Sequence, residues 1–220
     1  MLYVIDNILS TAECQAMREA MDDPALFEDG RNSAGWHARQ VKKNRQLKGG
    51  AQRDGVVRKV EQALSRHVVF RAAAWPKRFV KLLASRYEPG MEYGLHVDDA
   101  LMGGQRTDLS FTLFLSDPQD YSGGELMITE SSLERAVKLP VGQLVLYPSD
   151  SLHRVAPVEE GLRLAVVGWV RSYIRRDDQR AILFDLETSL KEVYQREGKS
   201  SLFDRLARTR SNLLRQWCDD

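Results

Sequence analysis

The chain has few cysteines that could form disulfides and no long apolar run that could anchor it in a membrane. Its two cysteines, Cys14 and Cys218, lie at opposite ends, which excludes a CxxC metal site. Two free thiols of a cytosolic protein explain them more simply than a disulfide does. No apolar run approaches the roughly 18 residues of a spanning helix, and the first residues lack the basic and apolar regions of a signal peptide. We therefore expect a cytoplasmic protein with no membrane partner.

An excess of charge of one sign is also missing. The 220 residues include 32 Lys and Arg against 31 Asp and Glu, a formal net charge of +1. This balance gives no global reason to expect nucleic-acid or membrane-surface binding. The length suits one domain with a full hydrophobic core and helical additions.

The first third of the sequence indicates mixed helix and strand. The run LYVIDNIL suits a short strand, and Ser10 stands three residues before Glu13, the spacing of a capping box that opens a helix. A second helix is predicted from Asp54 to about Arg66, with Val56, Val60 and Leu64 at helical spacing.

A basic segment, residues 39–53, lies between these two helices. It contains six Lys and Arg and no acid. It is either a solvated loop or strand face, or a basic flap near a ligand that carries a carboxylate.

From Phe79 to Tyr173 short β-rich runs follow one another, separated by Gly- and Pro-containing turns. Strands of this length at close spacing predict a sandwich or jelly-roll barrel, and the shortage of helices argues against a parallel nucleotide-binding sheet. After Arg175 the pattern turns helical, with Gly198 between two amphipathic stretches. This hairpin either packs on its own scaffold, as we expect, or forms a homo-oligomer interface.

The predicted fold is therefore α+β, a double-stranded β-helix (jelly-roll) core with N-terminal helices and a C-terminal helical hairpin. We expect an N-terminal support region over residues 1–77, the core over residues 78–174 and the hairpin over residues 175–220.

His96-Val97-Asp98 is the first sign of a site. In an extended segment, residues two apart point to the same face, so this imidazole and this carboxylate project together. His153, after the turn in YPSDSLH, is the other histidine of the β-rich part. Two histidines and one carboxylate on a rigid scaffold make the facial triad of non-haem Fe(II) oxygenases. Asp99 is a rival ligand, less favoured because it faces away from His96.

Arg163 strengthens this hypothesis. It stands ten residues after His153, beyond the EEG turn, so two antiparallel strands joined there would place the two residues roughly opposite one another on neighbouring strands. A buried guanidinium beside an open iron site suits a dicarboxylate co-substrate. His37 and His67 have no carboxylate at ligand spacing, and we expect structural roles for them.

Four blocks in this order resemble a known family. "YEPG…YGLHVD", "GGEL" and "PSDSLHRVAPV…G.R.A…GW" are similar to the prolyl/lysyl-hydroxylase branch of the Fe(II)/2-oxoglutarate dioxygenases, in particular the bacterial PKHD-type hydroxylases. The resemblance covers about residues 79–173. Many prolyl hydroxylases have Lys where this chain has Arg163, which bears on subfamily rather than chemistry.

The resemblance implies roles for individual residues. His96, Asp98 and His153 would bind iron, and Arg163 would hold the distal carboxylate of 2-oxoglutarate. By the same likeness Tyr87 would contact the co-substrate. Tyr93 and Trp169 would line the pocket; Trp169 shares one strand face with Arg163 by period two.

The chemistry that the resemblance implies is hydroxylation of an unactivated C–H bond, with release of succinate and CO₂. Fe(II) and 2-oxoglutarate would be required, and L-ascorbate would keep the iron reduced. A carboxylate at position 98 argues against the halogenating variants, which have a small residue there.

The substrate and two alternatives stay open. The substrate could be a prolyl or lysyl side chain, or a small molecule such as an iron chelator, since relatives are sometimes linked with iron uptake. A cupin-like metal enzyme without a co-substrate is one alternative. A non-catalytic 2-oxoglutarate or iron sensor, signalling through the helical hairpin, is the other.

Overall fold

The computed structural model describes residues 1–130 and 133–219 and folds around two facing antiparallel sheets. The helices in this part of the chain are α1 (Thr11–Ala20), α2 (Ala51–Arg66), α3 (Val68–Ala74), α4 (Asp177–Glu197) and α5 (Ser201–Trp217). The strands are β1 (Tyr3–Ile5), β2 (Phe27–Asp29), β3 (Lys42–Lys43), β4 (Arg45–Leu47), β5 (Pro76–Tyr87), β6 (Glu92–His96), β7 (Leu101–Met102), β8 (Gln105–Arg106), β9 (Leu109–Phe114), β10 (Tyr121–Gly123), β11 (Leu126–Glu130), β12 (Leu133–Val137), β13 (Leu144–Pro148), β14 (His153–Val155), β15 (Val158–Gly161) and β16 (Arg163–Ser172).

The strand order is that of a jelly roll, which confirms the predicted fold class. The larger sheet has the order β1-β13-β9-β16-β5-β4-β2, and the smaller sheet has the order β12-β11-β14-β6-β3. Two short ribbons, β10-β15 and β7-β8, complete the sheets of the described residues. Strands β2, β3 and β4 precede residue 78 and yet pair within the two main sheets, so the N-terminal region contributes to the sheets themselves. The domain limits stay a prediction.

Alternation along β9 shows how the core is divided. Leu109 and Leu113 pack into the cluster that contains the buried faces of α1, α2 and α3, whereas Phe114 packs between the sheets. Ser110 and Thr112, on the same inner face as Phe114, line a cavity instead. Each fully buried Leu of this kind contributes about 1.5–3 kcal/mol to stability. The larger sheet is thus a rigid wall with helices behind it and a cavity before it.

The capping box at the start of α1 is present as predicted. The Ser10 hydroxyl accepts from the Glu13 backbone N–H, and the Glu13 carboxylate accepts from the Ser10 backbone N–H at 2.9 Å. We expect Ser10→Ala to lower the free energy of unfolding by about 1 kcal/mol, because one helix N–H loses its acceptor. Urea unfolding would measure this. Ser65→Ala, at an exposed site inside α2, is the control and should be neutral or slightly stabilising; an equal loss there would contradict the capping role.

The sequence analysis did not predict one helix and predicted another to begin too late. Helix α2 begins at Ala51, after Gly50 at φ 143°, rather than at Asp54. Helix α3 follows directly, because His67 ends α2 and caps α3: its Nδ1 accepts from the Phe70 N–H at 3.3 Å. This contact gives His67 a structural role.

The C-terminal hairpin packs on the protein's own scaffold. Gly198 ends α4 at φ 65°, and the Ser200 hydroxyl begins α5 by accepting from the Phe203 N–H. The ring of Phe184 on α4 lies 4.8 Å from that of Tyr3. Across residues 1–130 and 133–219, no helix has the length and apolar content needed to cross a membrane.

Candidate active site

His96 and His153 lie directly opposite each other on paired strands. His96 is the last residue of β6 and His153 the first of β14, and the two are register partners in the smaller sheet. Their ring centroids are 4.2 Å apart. Residues that face each other across an antiparallel pair project to the same side, so the fold brings together two side chains that are far apart in sequence.

Asp98 completes the cluster. Its carboxylate oxygens lie 4.0 Å from Nε2 of His96 and 3.8 Å from Nε2 of His153. One ligand atom from each of the three residues lies within 4.8 Å of the others, and within the described residues this is the one His, Cys, Asp and Glu group that could hold a metal ion. The spacing suits a cation placed between the three atoms.

Each ligand group is held by a second contact. Nδ1 of His96 lies 2.8 Å from the Gly94 carbonyl, and Nδ1 of His153 lies 3.0 Å from the Ser151 carbonyl. A ring that donates through Nδ1 leaves the lone pair of Nε2 free for a metal. The Ser110 hydroxyl donates to the Asp98 carboxylate at 2.6 Å, which fixes the third group.

Asp99 lies apart from this cluster. Its carboxylate is half-exposed and lies 4.0 Å from Nε2 of His37. The structure therefore brings Asp98 rather than the rival Asp99 to the two imidazoles, as the alternation of an extended segment predicts. His37, expected to be structural, lies beside Asp99, which borders the cavity away from the two imidazoles.

Electrostatics favour a neutral imidazole at His96. Burial and the nearby His153 ring together lower the pKa of His96 well below its usual value, against the opposing effect of Asp98. The Tyr93 ring stacks on the His96 ring at 3.7 Å between centroids. Burial likewise raises the pKa of the Tyr93 hydroxyl, so this side chain is a neutral wall of the site.

Arg163 is on the opposite sheet, not on the strand beside His153. The predicted hairpin was wrong, because residues 158–161 form β15 and pair with β10 instead of turning back on β14. Arg163 begins β16, where its register partner is Tyr87. His153 and Arg163 nevertheless line the same cavity from its two walls.

Among the described residues, no carboxylate lies within ion-pair distance of the Arg163 guanidinium. The side chain is 1 % exposed, and its three nitrogens have no hydrogen-bond partner among the described residues. The rings of Tyr87 and Phe114 lie 5.0 and 5.5 Å from its central carbon. The buried Tyr121 hydroxyl also has no hydrogen bond among the described residues, and burial raises its pKa against the smaller, lowering effect of the Arg163 charge. A buried, unpaired guanidinium is costly, and a ligand carboxylate would satisfy it.

The cavity that joins these groups has a volume of about 570 Å³. Tyr87, Tyr93 and Trp169 all line it, together with the iron-ligand candidates and Arg163. The contact of Tyr87 with the co-substrate, and the roles of the other two, stay predictions. Sequence reasoning missed Lys81, Ser110 and Tyr147. Of the two alternatives left open for the basic segment, the structure places Lys42, Asn44 and Gln46 on the cavity wall, which the sequence analysis had not singled out within the segment. The alternation in KKNRQ was the available signal for these three.

Comparison with known proteins agrees with this geometry. Residues 82–171 match the family model of the 2OG-Fe(II) oxygenase superfamily, and residues 177–219 match the PKHD-type hydroxylase C-terminal domain. A PKHD-type hydroxylase of Synechococcus elongatus is 50 % identical over 224 residues, covering 100 % of both chains.

Two solved structures share the fold at low sequence identity. A prolyl hydroxylase from Trichoplax adhaerens, in complex with a hypoxia-inducible-factor peptide fragment, has a TM-score of 0.60 at 16 % identity and covers 83 % of this chain and 86 % of its own. A viral collagen prolyl hydroxylase from Paramecium bursaria Chlorella virus-1, in a 2OG complex, has a TM-score of 0.55 at 20 % identity and covers 78 % and 96 %.

Proposed function

Because this chain belongs to the PKHD-type hydroxylases and is an Fe(II)/2-oxoglutarate-dependent dioxygenase, we propose that it hydroxylates an unactivated C–H bond and releases succinate and CO₂. The substrate group is a prolyl or lysyl side chain or part of a small molecule. The observation that carries the proposal is the convergence of His96, Asp98 and His153 in one cavity with the unpaired guanidinium of Arg163.

His96, Asp98 and His153 would hold the iron. Two neutral imidazoles and one carboxylate are the ligands that suit Fe(II), and three protein ligands leave coordination positions for co-substrate and O₂. The contacts from Gly94, Ser151 and Ser110 keep the ligand atoms aimed at one point. When bound, iron and 2-oxoglutarate supply the oxidising power, and the protein supplies position and exclusion of water.

Arg163 would hold the distal carboxylate of 2-oxoglutarate. Its fork of donors matches a carboxylate, and the rings of Tyr87 and Phe114 keep it dry. Tyr87 would contact the co-substrate, and the unpartnered Tyr121 hydroxyl is within the same part of the fold. Charge-assisted hydrogen bonds in such a water-poor place are strong, which favours a single orientation of the co-substrate.

Tyr93 and Trp169 would shape the remainder of the pocket. Tyr93 covers one face of the His96 ring, and Trp169 lines the opposite wall on the same strand as Arg163. Both would keep water from the iron while a substrate C–H group approaches it. L-ascorbate would restore iron that oxidises in turnovers without substrate.

Release of succinate in the absence of substrate is the direct test. We expect slow formation of succinate from 2-oxoglutarate that requires Fe(II) and O₂, stops with a chelator and lasts longer with ascorbate. Mass spectrometry of the reaction mixture would measure it. Binding of iron and 2-oxoglutarate with no succinate, even after addition of cell lysate, would favour the sensor over the enzyme.

A further inference from the structure

We propose that the cavity contains a second cationic subsite, formed by Lys42 and Lys81, which holds an anionic group of the substrate. The inference rests on the proposed function, since it assigns 2-oxoglutarate to Arg163 and asks what Lys42 and Lys81 bind. Arg78, the remaining Lys or Arg on the cavity lining, is exposed to solvent. The inference narrows the substrate to an acidic peptide or an acidic small molecule.

Lys81 lies on the same wall as Arg163 but far from it. On β5, Lys81 and Tyr87 are six residues apart and both face the cavity, and their register partners on β16 are Trp169 and Arg163. At the usual rise per residue in a strand, these positions are about 20 Å apart. 2-Oxoglutarate is much shorter than that, so one molecule cannot satisfy both cations.

Lys42 approaches from the smaller sheet. It pairs with Tyr93 at the edge strand β3, and its ammonium lies 4.8 Å from the centroid of the Tyr93 ring. The residue is 6 % exposed, and its Nζ donates to the Ser33 hydroxyl at 3.0 Å, a neutral partner. Two cations from opposing sheets thus face one cavity.

In the described part of the chain, these lysines form no ion pair. Neither has a carboxylate within ion-pair distance among the described residues. Of the nearby acids, Asp98 belongs to the proposed iron site and Asp29 is paired with Arg31. Burial lowers the pKa of Lys81 against the smaller, raising effect of the Asp99 charge, but Asp99 forms no ion pair with either lysine and lies 4.0 Å from Nε2 of His37. Burial and the neighbouring charge of Lys81 lower the pKa of Lys42 to about 8, against the opposing effects of Asp98 and Asp29.

A polar group next to Lys81 also lacks a hydrogen-bond acceptor among the described residues. The indole N–H of Trp169, the register partner of Lys81, is buried and has no acceptor in the described part of the chain. Buried donors of this kind normally have a partner. A ligand that brings anionic oxygen atoms would satisfy the indole and both ammonium groups, whereas a cationic ligand would be repelled.

The experiment separates a lysate by charge before the reaction. The small-molecule and peptide pool is divided on an anion-exchange resin at neutral pH, and each fraction is incubated with enzyme, Fe(II), 2-oxoglutarate and ascorbate. We expect a product heavier by one oxygen atom in the retained fraction. Lys42→Met and Lys81→Met should each lower its rate of formation at low substrate by about tenfold to a hundredfold, the effect of removing one charge-assisted hydrogen bond, while the KM for 2-oxoglutarate stays within about twofold.

Lys43→Met is the matched control. Lys43 is the next residue of β3, is exposed and points away from the cavity, so its loss should leave product formation unchanged. A hydroxylated product only from the unretained fraction, no such product while succinate still forms, or full product formation in both cavity variants would overturn the inference. Absence of succinate in every reaction would instead overturn the proposed function.

Discussion

Arg163→Met is expected to raise the KM for 2-oxoglutarate by about 30-fold to a few thousandfold, because truncating one partner of a buried charge pair costs about 2–5 kcal/mol. The guanidinium is fully buried and its donors have no hydrogen-bond partner in the described residues, so the co-substrate would lose a buried cationic partner at that end of the cavity. Succinate release measured against 2-oxoglutarate concentration gives the KM. At saturating 2-oxoglutarate, the rate should fall far less.

The same variant distinguishes binding from a structural role. Without ligand, a buried unpaired charge does not stabilise a fold, so Arg163→Met should melt at the temperature of the original protein or above it. Added 2-oxoglutarate should raise the melting temperature of the original protein and not that of the variant. Arg163→Lys should lie between the two, since an ammonium supplies charge without the fork of donors.

Arg154→Met serves as the control for a lost arginine. Arg154 is one residue from His153 on β14, but it faces outward and pairs with Glu134 at 3.0 Å. A surface ion pair contributes at most about 1 kcal/mol, and its loss should leave the KM unchanged. Equal effects of Arg154→Met and Arg163→Met, or a large fall in stability of ligand-free Arg163→Met, would contradict the assignment of Arg163.

Local rules were sufficient for part of the site. The pairing of His96 with Asp98 follows from the two-residue period of an extended segment, and the structure shows their side chains together. The contribution of His153 depends on which strands pair, which no local pattern determines. The expected hairpin between His153 and Arg163 failed for this reason: β15 pairs with β10, and the chain then crosses to the other sheet.

The basic segment, residues 39–53, also shows how far local sequence patterns can predict the site. Its composition left a solvated face and a ligand flap as alternatives, and the structure places Lys42, Asn44 and Gln46 in the cavity while Lys43 stays outside. These residues are ordered by pairing of β3 with β6 and of β4 with β5, contacts that span about forty to fifty residues. Helices α1, α4 and α5 were predictable because their signals are local: serine N-caps directly precede α1 and α5, Gly198 ends α4, and each helix has its own apolar stripe.

Asp98→Ala is expected to weaken Fe(II) binding by more than about a hundredfold and to abolish succinate release, because loss of a direct ligand exceeds the 10- to 100-fold effect of losing a supporting contact. Removal of this carboxylate leaves two neutral imidazoles and no negative charge to offset the metal. The binding of Mn(II), as an air-stable substitute, can be followed by the rise in melting temperature that it causes in the ligand-free protein. We expect no such rise in Asp98→Ala.

Asp99→Asn tests whether metal binding requires the carboxylate at position 98 in particular or only a negative charge nearby. Asp99 is the next residue, yet its carboxylate is half-exposed and lies beside His37 rather than the two imidazoles. This variant should bind Mn(II) with nearly the original affinity and release succinate at a similar rate. If Asp99→Asn lost metal binding while Asp98→Ala retained it, the ligand set would be wrong. If both variants retained it, the cluster of His96, Asp98 and His153 would not be the iron site, and the geometry that supports the proposed chemistry would need another explanation.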